Sequence, residues 1–397
     1  MKMYSQISER VQKESKNIIN FLCEYINHKS INLDRALPDE PGNVYDCQSW
    51  LKEELIKMDI YNKVDFWEEE KGRPNVVGVI NGNDSKKSIM FNGHTDVVPL
   101  TEKQYSDWSS GSPWKAEVID SKVYGRGASD MKGGITSFLW AVKILKDLKI
   151  PIKGDIIVSM NIGEESQNTD IGSRSIVKRG YRPTLLINAE PTNLEIYPAT
   201  IGWFFFKVTV LGKSAHVAYN RQSMYPTPFG KELLGVNAIE KMDIVLNTFR
   251  RLNQQWGMYK KHPLSPPGNM NLCLVSIKGG KYYSSIPESC EAIYAVSFNP
   301  DLKSEEVIRE IKDVLGNTVN TDYWLKEDHI KLEIPYLEID KNVVEPINIS
   351  KKHEGCISLS KAYREIMKVE PKFGCFPAVC DANLFFDLGI PSIIFGP

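Results

Sequence analysis

The first two hundred residues alternate between helical periodicity and short apolar runs. Apolar side chains recur every three or four residues over residues 7–26, 50–58 and 131–148, which predicts three amphipathic helices. Continuous apolar runs predict strands that are buried on both faces, at residues 76–80, 88–92, 155–161 and 184–188. Strands interleaved with helices are typical of the α/β class, so we expect one sheet with helices on both sides.

The middle of the chain, residues 201–338, follows a different order. Its pattern predicts strand, helix, strand, strand, helix and strand, at residues 203–211, 228–252, 271–277, 291–298, 304–315 and 331–334. This β-α-β-β-α-β order is the ferredoxin-like arrangement, which can form a separate α+β domain. The first pattern then resumes, so we expect an α/β domain, made of residues 1–200 and 339–397, into which an α+β domain is inserted.

Charge and cysteine usage exclude several classes of partner. The chain carries 49 Lys and Arg residues against 50 Asp and Glu residues. Because no net positive charge is available to neutralise phosphates, we exclude a broad nucleic-acid interface. No apolar run reaches the roughly twenty residues that a membrane-spanning helix needs, so we expect no membrane partner. The seven cysteines form no Cys-x-x-Cys pair, which is typical of reduced thiols in a cytoplasmic protein.

Acidic and imidazole side chains follow the predicted strands. In open α/β sheets, ligands bind beyond the carboxyl ends of the strands. Those ends, together with a glycine turn at residues 125–127, are followed by His94, Asp96, Asp130, Glu164, Glu165 and Glu190. Crowded carboxylates repel one another unless a cation lies between them. A cluster of His, Asp and Glu is the ligand set of a divalent metal, and this one is large enough for two ions.

Each of these residues also has an ordinary structural explanation. A histidine at a strand end is usually a hydrogen-bonded structural residue, and adjacent glutamates usually lie in a solvated loop. An aspartate that opens a helix is usually an N-cap or a partner of the helix dipole. The joint placement of all of them at successive strand ends is what favours the metal site.

Four short motifs resemble the ordered signatures of the M20 family of metallopeptidases and deacylases. They are Gly-His-Thr-Asp at residues 93–96, Tyr-Gly-Arg-Gly-Ala-Ser-Asp-Met-Lys-Gly-Gly at 124–134, Gly-Glu-Glu at 163–165 and Glu-Pro-Thr at 190–192. The family includes acetylornithine deacetylase, succinyl-diaminopimelate desuccinylase and carboxypeptidase G. The resemblance implies a metal-binding α/β domain and an inserted ferredoxin-like lid, through which a homodimer can form.

The resemblance also implies which residues bind metal. His94 and Glu190 would bind one divalent ion, Glu165 would bind the other, and Asp130 would bridge the two. Zinc is the expected metal, and a site this rich in carboxylates would also accept cobalt or manganese.

Three further residues take implied roles in the reaction. Glu164 would be the general base, which takes a proton from water and passes it to the departing nitrogen. Asp96 would orient the imidazole of His94. His216, which follows the first lid strand, would stabilise the oxyanion of the substrate and so count as a substrate-binding residue.

The sequence departs from the family pattern at three places. Ser284 and Ser297 stand where the family often has an Asn and an Arg that hold a substrate carboxylate, and serine cannot replace a bidentate Arg. We therefore expect the lid to recognise a differently placed acid or a neutral group. The family also has a metal-binding His beyond the last strand, and this sequence stops at residue 397 before one occurs. We expect a catalytic domain that is incomplete at its C-terminus, with too few protein ligands for the ion at Glu165.

The expected function is hydrolysis of an amide bond in a small N-acyl amino acid by a dinuclear metal centre. A dipeptidase or carboxypeptidase with the same site is one alternative, and a catalytically inactive truncated relative is another. A nucleotide-binding α/β protein is disfavoured, because the strand ends carry acids where a phosphate needs amides and positive charge.

Overall fold

The computed structural model describes residues 2–38, 40–219, 233–326, 328–336 and 343–397. These residues divide into two compact units. The first unit contains residues up to Ala199, Ile347–Phe376 and Cys380–Pro397, and the second contains Thr200–Pro346 and Pro377–Val379.

The helices and strands are numbered along the chain within the described residues. The α-helices are α1 (Lys2–Asn27), α2 (Tyr45–Lys57), α3 (Gly133–Asp147), α4 (Ser173–Lys178), α5 (Ala238–Tyr259), α6 (Ser304–Thr321), α7 (Glu354–Met367) and α8 (Asp381–Asp387). The strands are β1 (Lys63–Glu70), β2 (Arg73–Ile80), β3 (Asp84–His94), β4 (Glu117–Ile119), β5 (Lys122–Tyr124), β6 (Gly154–Asn161), β7 (Leu185–Asn188), β8 (Ile196–Thr200), β9 (Gly202–Leu211), β10 (Asn271–Gly279), β11 (Ser289–Phe298), β12 (Ile330–Glu333), β13 (Phe373–Phe376) and β14 (Ser392–Ile394).

The first unit is built on an eight-stranded sheet. Its strand order is β1-β2-β6-β3-β7-β14-β8-β13, and the four neighbouring strands β6, β3, β7 and β14 run parallel. In the register of this sheet, Asn92 pairs with Asn188, and His94 pairs with Asn161. Because parallel strands end at the same edge, the residues that follow β3, β6 and β7 are brought together there.

Apolar side chains cover both faces of this sheet. Along β6, Ile156, Val158 and Met160 pack into a cluster with α1, α2 and α3. Ile157, which points the other way, packs into a second cluster with α4, α7 and α8. Side chains on a strand alternate between faces, so a continuous apolar run is buried on both sides. The α/β class predicted from the pattern is confirmed.

The second unit is a four-stranded antiparallel sheet with two helices. Its strand order is β10-β11-β9-β12, and α5 and α6 follow β9 and β11 in the chain. This is the ferredoxin-like order of elements. Aromatic packing forms part of the core, where Phe206 stacks on Tyr294 at 4.9 Å between ring centroids and both contact Phe249.

Within the described residues, two predicted helices begin later than their periodicity indicates. The segment predicted at residues 228–252 starts outside the described residues, which omit 220–232. The observed helix α5 starts at Ala238, because the side chain of Asn237 accepts hydrogen bonds from Ile239 N and Glu240 N and caps it. The helix predicted over residues 131–148 starts at Gly133, because Asp130 and Met131 lie in a preceding turn with non-helical dihedral angles.

Candidate metal centre

The predicted cluster lies at the carboxyl edge of the parallel strands. His94 is the last residue of β3, and Glu190 follows β7 by two residues. Glu164 and Glu165 follow β6 in a turn that Gly163 opens with φ of 90°, a left-handed conformation that favours glycine. The chain therefore turns sharply at the end of β6 and returns two carboxyl groups toward the histidine.

His94 is held with one ring nitrogen available to the cluster. Its Nδ1 lies 2.8 Å from the main-chain oxygen of Asp96, and a carbonyl can only accept, so Nδ1 donates. Its Nε2 then lies 3.0 Å from Asp130 Oδ1, 3.6 Å from Glu190 Oε1 and 3.7 Å from Glu164 Oε2. One buried imidazole nitrogen is thus surrounded by three carboxylates.

Glu165 belongs to the same cluster through Asp130. His94, Asp130 and Glu165 each offer one ligand atom, and these three atoms lie within 4.8 Å of one another. Asp130 takes part because the turn at residues 128–132 keeps it extended, with φ of −120° and ψ of 96°. A histidine and two carboxylates at this spacing suit a divalent cation.

Asp96 connects the end of β3 to the loop that carries the glutamates. Its carboxyl group is buried, and Oδ2 accepts hydrogen bonds from Asn32 Nδ2 at 2.6 Å and from Glu165 N at 3.2 Å. Its Oδ1 lies 3.8 Å from His94 Nδ1. The oxygen that orients the imidazole is therefore the main-chain oxygen of Asp96, while its carboxylate holds the backbone of Glu165.

The start of α3 packs closely against Ala189, the residue between β7 and Glu190. A Cβ atom built on Gly134 would lie 2.1 Å from the main-chain oxygen of Ala189, far closer than atoms pack. Glycine is required there because the start of α3 lies directly against the residue that precedes Glu190.

Burial and mutual repulsion raise the pKa of the glutamates. Burial raises the pKa of Glu164 well above its ordinary value, with a further contribution from Glu190, although His94 opposes it. Burial also raises the pKa of Glu190, and it raises that of Glu165 to about 7. For His94, burial lowers the pKa, but Glu164, Asp130 and Glu190 outweigh it and the net shift is strongly upward.

These shifts mean that the cluster favours a positive charge among its carboxylates. Within the described ranges, no Lys or Arg side chain lies within 4 Å of the carboxylates of Glu164, Glu165 or Glu190. The nearby Lys132 faces away, because its Nζ donates to the main-chain oxygens of Tyr25 and His28 at 2.9 Å each. The donor set, one oriented imidazole and several acids, fits one or two divalent cations.

A second group of hydrogen bonds supports the loop at residues 163–168. Asp34 receives two 2.8 Å bonds from the guanidinium of Arg73 and further bonds from Ser166 Oγ at 2.9 Å and Asn168 Nδ2 at 3.3 Å. The bonds to Arg73 and to this loop hold the pKa of Asp34 well below its ordinary value, although burial opposes them.

Sequence reasoning missed Asp381 and the asparagines near it. Asp381 opens α8, is buried, and accepts hydrogen bonds from Asn161 Nδ2 and Ser173 Oγ. An acid in the first turn of a short helix looks like an ordinary partner of the helix dipole. A usable signal did exist, since Asn92, Asn161 and Asn188 each stand in an apolar strand, where asparagine is uncommon.

The predicted lid residues belong to the second unit. His216 is exposed, and its Nδ1 accepts a hydrogen bond from Ala218 N. Ser297 is buried, and its Oγ donates to the main-chain oxygen of Asn269 at 2.6 Å. Ser297 is therefore engaged within its own unit. The role of His216 in substrate binding stays a prediction.

An α/β sheet with a buried imidazole–carboxylate cluster at its carboxyl edge defines the protein as a candidate metallohydrolase. The model of the peptidase family M20/M25/M40 matches residues 90–397, and the chain belongs to that family. The resemblance inferred from the four motifs is confirmed. As a member of that family, the chain is an amidohydrolase or peptidase. The family is metal-dependent, and the cluster at His94 is the candidate metal site.

Relatives of known activity cover most of the chain. It is 28% identical to the N-formyl-4-amino-5-aminomethyl-2-methylpyrimidine deformylase of Bacillus subtilis, over 98% of this chain and 89% of that protein. It is also 28% identical to the succinyl-diaminopimelate desuccinylase of Rickettsia akari, over 75% of this chain and 73% of that protein. A tripeptidase structure from Staphylococcus aureus shares the fold, with a TM-score of 0.68 and 16% identity over 96% of this chain and 89% of the other.

Two further observations concern the helices and the cysteines. Within the described residues, no helix combines the length and apolar character that crossing a bilayer requires. None of the seven cysteines, all of which lie within the described residues, forms a disulfide bond.

Proposed function

We propose that the protein removes a small acyl group from the nitrogen of an N-acyl amino acid or a related N-acyl amine, using two divalent metal ions. The observation that carries this proposal is the environment of His94 Nε2, which three carboxylates face while Nδ1 is held by a carbonyl. Such an arrangement binds a cation through a neutral imidazole.

The metal ligands in this proposal are those that the motifs imply. His94 and Glu190 would hold one ion, Glu165 the other, and Asp130 both. When bound, two divalent ions lower the pKa of a water molecule and polarise the amide carbonyl. Zinc is the proposed metal, and cobalt or manganese would also suit these ligands.

Glu164 would move the proton that hydrolysis requires. Its carboxylate takes a proton from the attacking water and delivers it to the amide nitrogen as the C–N bond breaks, so that water and amide become a carboxylic acid and an amine. Its position supports this role, since Oε2 lies 3.7 Å from His94 Nε2 and burial raises its pKa, which makes it a better base.

Asp96 would hold His94 and the loop at Glu165 in the positions that metal binding requires. Its main-chain oxygen orients His94, and its carboxylate holds the backbone nitrogen of Glu165. Buried hydrogen bonds of this kind set the direction of metal ligands.

The substrate would be held without an Arg clamp at position 297. Ser297 donates its hydroxyl to Asn269, so this position offers no cation for an α-carboxylate. The relative from B. subtilis is named for the deformylation of an aminomethylpyrimidine, a product with no carboxylate. We therefore include neutral N-acyl amines in the substrate class.

A panel of paired substrates tests this proposal. N-formyl, N-acetyl and N-succinyl derivatives would each be assayed on an amino acid and on the matching amine that lacks the carboxylate. Release of the free amine with kcat/KM within about tenfold for the two members of a pair is the expected result, because no charge-assisted grip discriminates them. A strong requirement for the α-carboxylate would contradict the inclusion of neutral N-acyl amines, and release of no amine from either member of any pair would contradict the proposed deacylase activity.

A peptidase acting on short peptides is the second candidate. The fold of the S. aureus tripeptidase supports it, and the same metal centre could hydrolyse a peptide bond. Di- and tripeptides belong in the same panel, and their cleavage in preference to every N-acyl compound would favour this alternative.

A homodimer through the second unit completes the proposal. Among the described strands, β10 is an edge of its sheet and exposes Leu274, Val275 and Ile277. His216 of one subunit would then act at the site of the other. Light scattering measures the mass in solution, and a monomer at all concentrations would contradict this part. We place the enzyme in the cytoplasm, because no disulfide bond joins the cysteines that the structure describes.

A further inference from the structure

Four buried polar side chains form a continuous row across the central strands of the first unit. Asn188 of β7, Asn92 of β3, Asn161 of β6 and Asp381 of α8 are each at most 2% exposed. We call them the asparagine row. Buried amides of this kind are uncommon in apolar strands, and each must find hydrogen-bond partners.

Every amide in the row donates in the same direction. Asn188 Nδ2 donates to Asn92 Oδ1 at 2.9 Å, and Asn92 Nδ2 donates to Asn161 Oδ1 at 2.8 Å. Asn161 Nδ2 then donates to Asp381 Oδ2 at 2.5 Å. At the far end, Asn188 Oδ1 is buried and has no hydrogen-bond partner among the described residues. The row therefore starts at an unmatched acceptor and ends at a carboxylate.

Asp381 accounts for this direction. An ionised carboxylate only accepts hydrogen bonds, whereas an amide both donates and accepts. Asp381 Oδ2 receives Asn161, and Oδ1 receives Ser173 Oγ at 2.7 Å. With a carboxylate at one end, Asn161 must point its nitrogen at Asp381 and its oxygen at Asn92. Asn92 must then donate to Asn161, and Asn188 must donate to Asn92.

The row lies directly before the residues of the metal centre. Asn92 precedes His94 by two residues, Asn188 precedes Glu190 by two, and Asn161 precedes Glu164 by three. Residues two apart on a strand share a face, so the amide of Asn92 lies on the same face of β3 as the imidazole. The row thus connects the three strands at the level from which the cluster projects.

We propose that Asp381 is a positioning residue, which fixes the direction of the asparagine row and thereby aligns the three strand ends that carry His94, Glu164 and Glu190. This inference rests on the proposed metal-dependent function. Asp381 itself would touch neither the substrate nor the ions.

The first test is the isosteric variant Asp381→Asn. It removes the acceptor-only end, so Asn161 can turn its oxygen toward residue 381, and Asn92 and Asn188 can follow. Cobalt affinity of the full chain, measured by competition with a chelating dye, should fall about 10–100-fold, the range seen when hydrogen-bond partners of metal ligands are lost. The absorption spectrum of the cobalt-loaded protein should also change.

The decisive test exchanges the two ends of the last hydrogen bond. Asn161→Asp alone places two carboxylates against each other and should weaken cobalt binding more than D381N does. The double variant N161D/D381N moves the carboxylate to position 161, where it still accepts the hydrogen bond from Asn92. The direction of Asn92 and Asn188 is then restored, so cobalt affinity and spectrum should recover toward wild type.

Ser173→Ala is the matched control. It removes the other donor to Asp381 but leaves the carboxylate and the direction of the row, so cobalt affinity should stay within about threefold of wild type. Circular dichroism and the thermal midpoint of each metal-free variant show whether it folds. If D381N does not fold, the double variant must fold and bind cobalt for the proposal to hold.

Separate outcomes contradict the inference and the proposed function. A wild-type chain that binds no cobalt contradicts the proposed function. If the wild-type chain binds cobalt and D381N binds it with the same affinity, the positioning role is contradicted. It is also contradicted if the double variant binds cobalt no more tightly than the weaker of the two single variants. Loss of turnover in D381N with an unaltered cobalt spectrum would also overturn it, because Asp381 would then act in the chemistry itself.

Discussion

Two acid-rich regions of the first unit differ in how their negative charge is balanced. Asp34 accepts hydrogen bonds from both terminal guanidinium nitrogens of Arg73, which hold the pKa of Asp34 well below the ordinary range. At the metal centre, burial raises the pKa of Glu164 and Glu190, and no Lys or Arg among the described residues pairs with them within 4 Å. An acid with a cation of its own stabilises the fold, whereas acids without one need a cation from solution.

The two regions meet at one loop. Ser166 and Asn168 donate to Asp34, and Glu164 and Glu165 of the same loop belong to the metal centre. The hydrogen bonds to Asp34 therefore support the loop that carries the two glutamates of the metal centre. We therefore expect substitutions near Asp34 to change mainly the free energy of unfolding, and substitutions of the two glutamates to change mainly kcat.

The largest effect is expected for Glu164→Gln. The amide keeps the shape of the side chain but cannot accept a proton, so kcat should fall by at least about 10³-fold, within the range that general-base residues supply. Bound metal, measured by elemental analysis, should stay near the wild-type content, because Glu164 is not among the proposed ligands.

Glu165→Gln is the matched control for that variant. It removes a proposed ligand next in the chain, so metal content should fall together with activity. If E164Q lost metal and E165Q kept it, the assignment of the two glutamates would be reversed.

A smaller effect is expected for Arg73→Met, which removes the cation from Asp34. The free energy of unfolding should fall by about 1–2 kcal/mol near neutral pH, the value of charged hydrogen bonds at a site that solvent partly screens. Because the folded-state pKa of Asp34 is lowered, this stabilisation is present above the ordinary pKa and is lost as pH falls through the folded-state value. The difference between wild type and R73M should thus be full above about pH 5 and shrink below about pH 4.

Urea unfolding at several pH values measures that difference. Arg73→Lys keeps the charge but not the paired geometry, so it should recover only part of the stability. If the difference in unfolding free energy between wild type and R73M stayed constant from neutral pH into the acid range, Asp34 would not be the residue through which Arg73 stabilises the fold.

The smallest effect is expected for Ser166→Ala. It removes one donor to Asp34 from the loop and leaves Arg73 in place. Unfolding free energy should fall by about 1 kcal/mol or less, and kcat should change by only a few fold. A loss of activity as large as that of E164Q would mean that the two regions are not separable.

The pattern along the chain predicts the sheet and most of the cluster for a physical reason. Strands of a buried parallel sheet are short apolar runs, and parallel strands end at one edge. His94, Glu164 and Glu190 follow such runs directly, so local sequence is enough to bring them together. The fold class and the family are confirmed, whereas the roles of the individual residues stay predictions.

Other parts could not be predicted because their partners are distant in the chain. Strand β1, with the sequence Lys-Val-Asp-Phe-Trp-Glu-Glu-Glu, is an edge strand with exposed polar positions and no clear apolar run. Asp381 lies 220 residues from its donor Asn161, and nothing in its own neighbourhood indicates the contact. The orientation of His94 by a main-chain oxygen also depends on local backbone geometry that residue types do not specify.

The metal content of the full chain tests the central claim most directly. Protein dialysed against zinc and then against metal-free buffer should retain at least one zinc ion per chain, and at most the two of a dinuclear centre. The variant Asp34→Asn should retain as much, and Asp130→Asn, which removes the proposed bridge, should retain much less. A wild-type chain that holds no zinc, or an Asp130→Asn variant that holds as much as wild type, would contradict a metal centre at the carboxyl edge of this sheet.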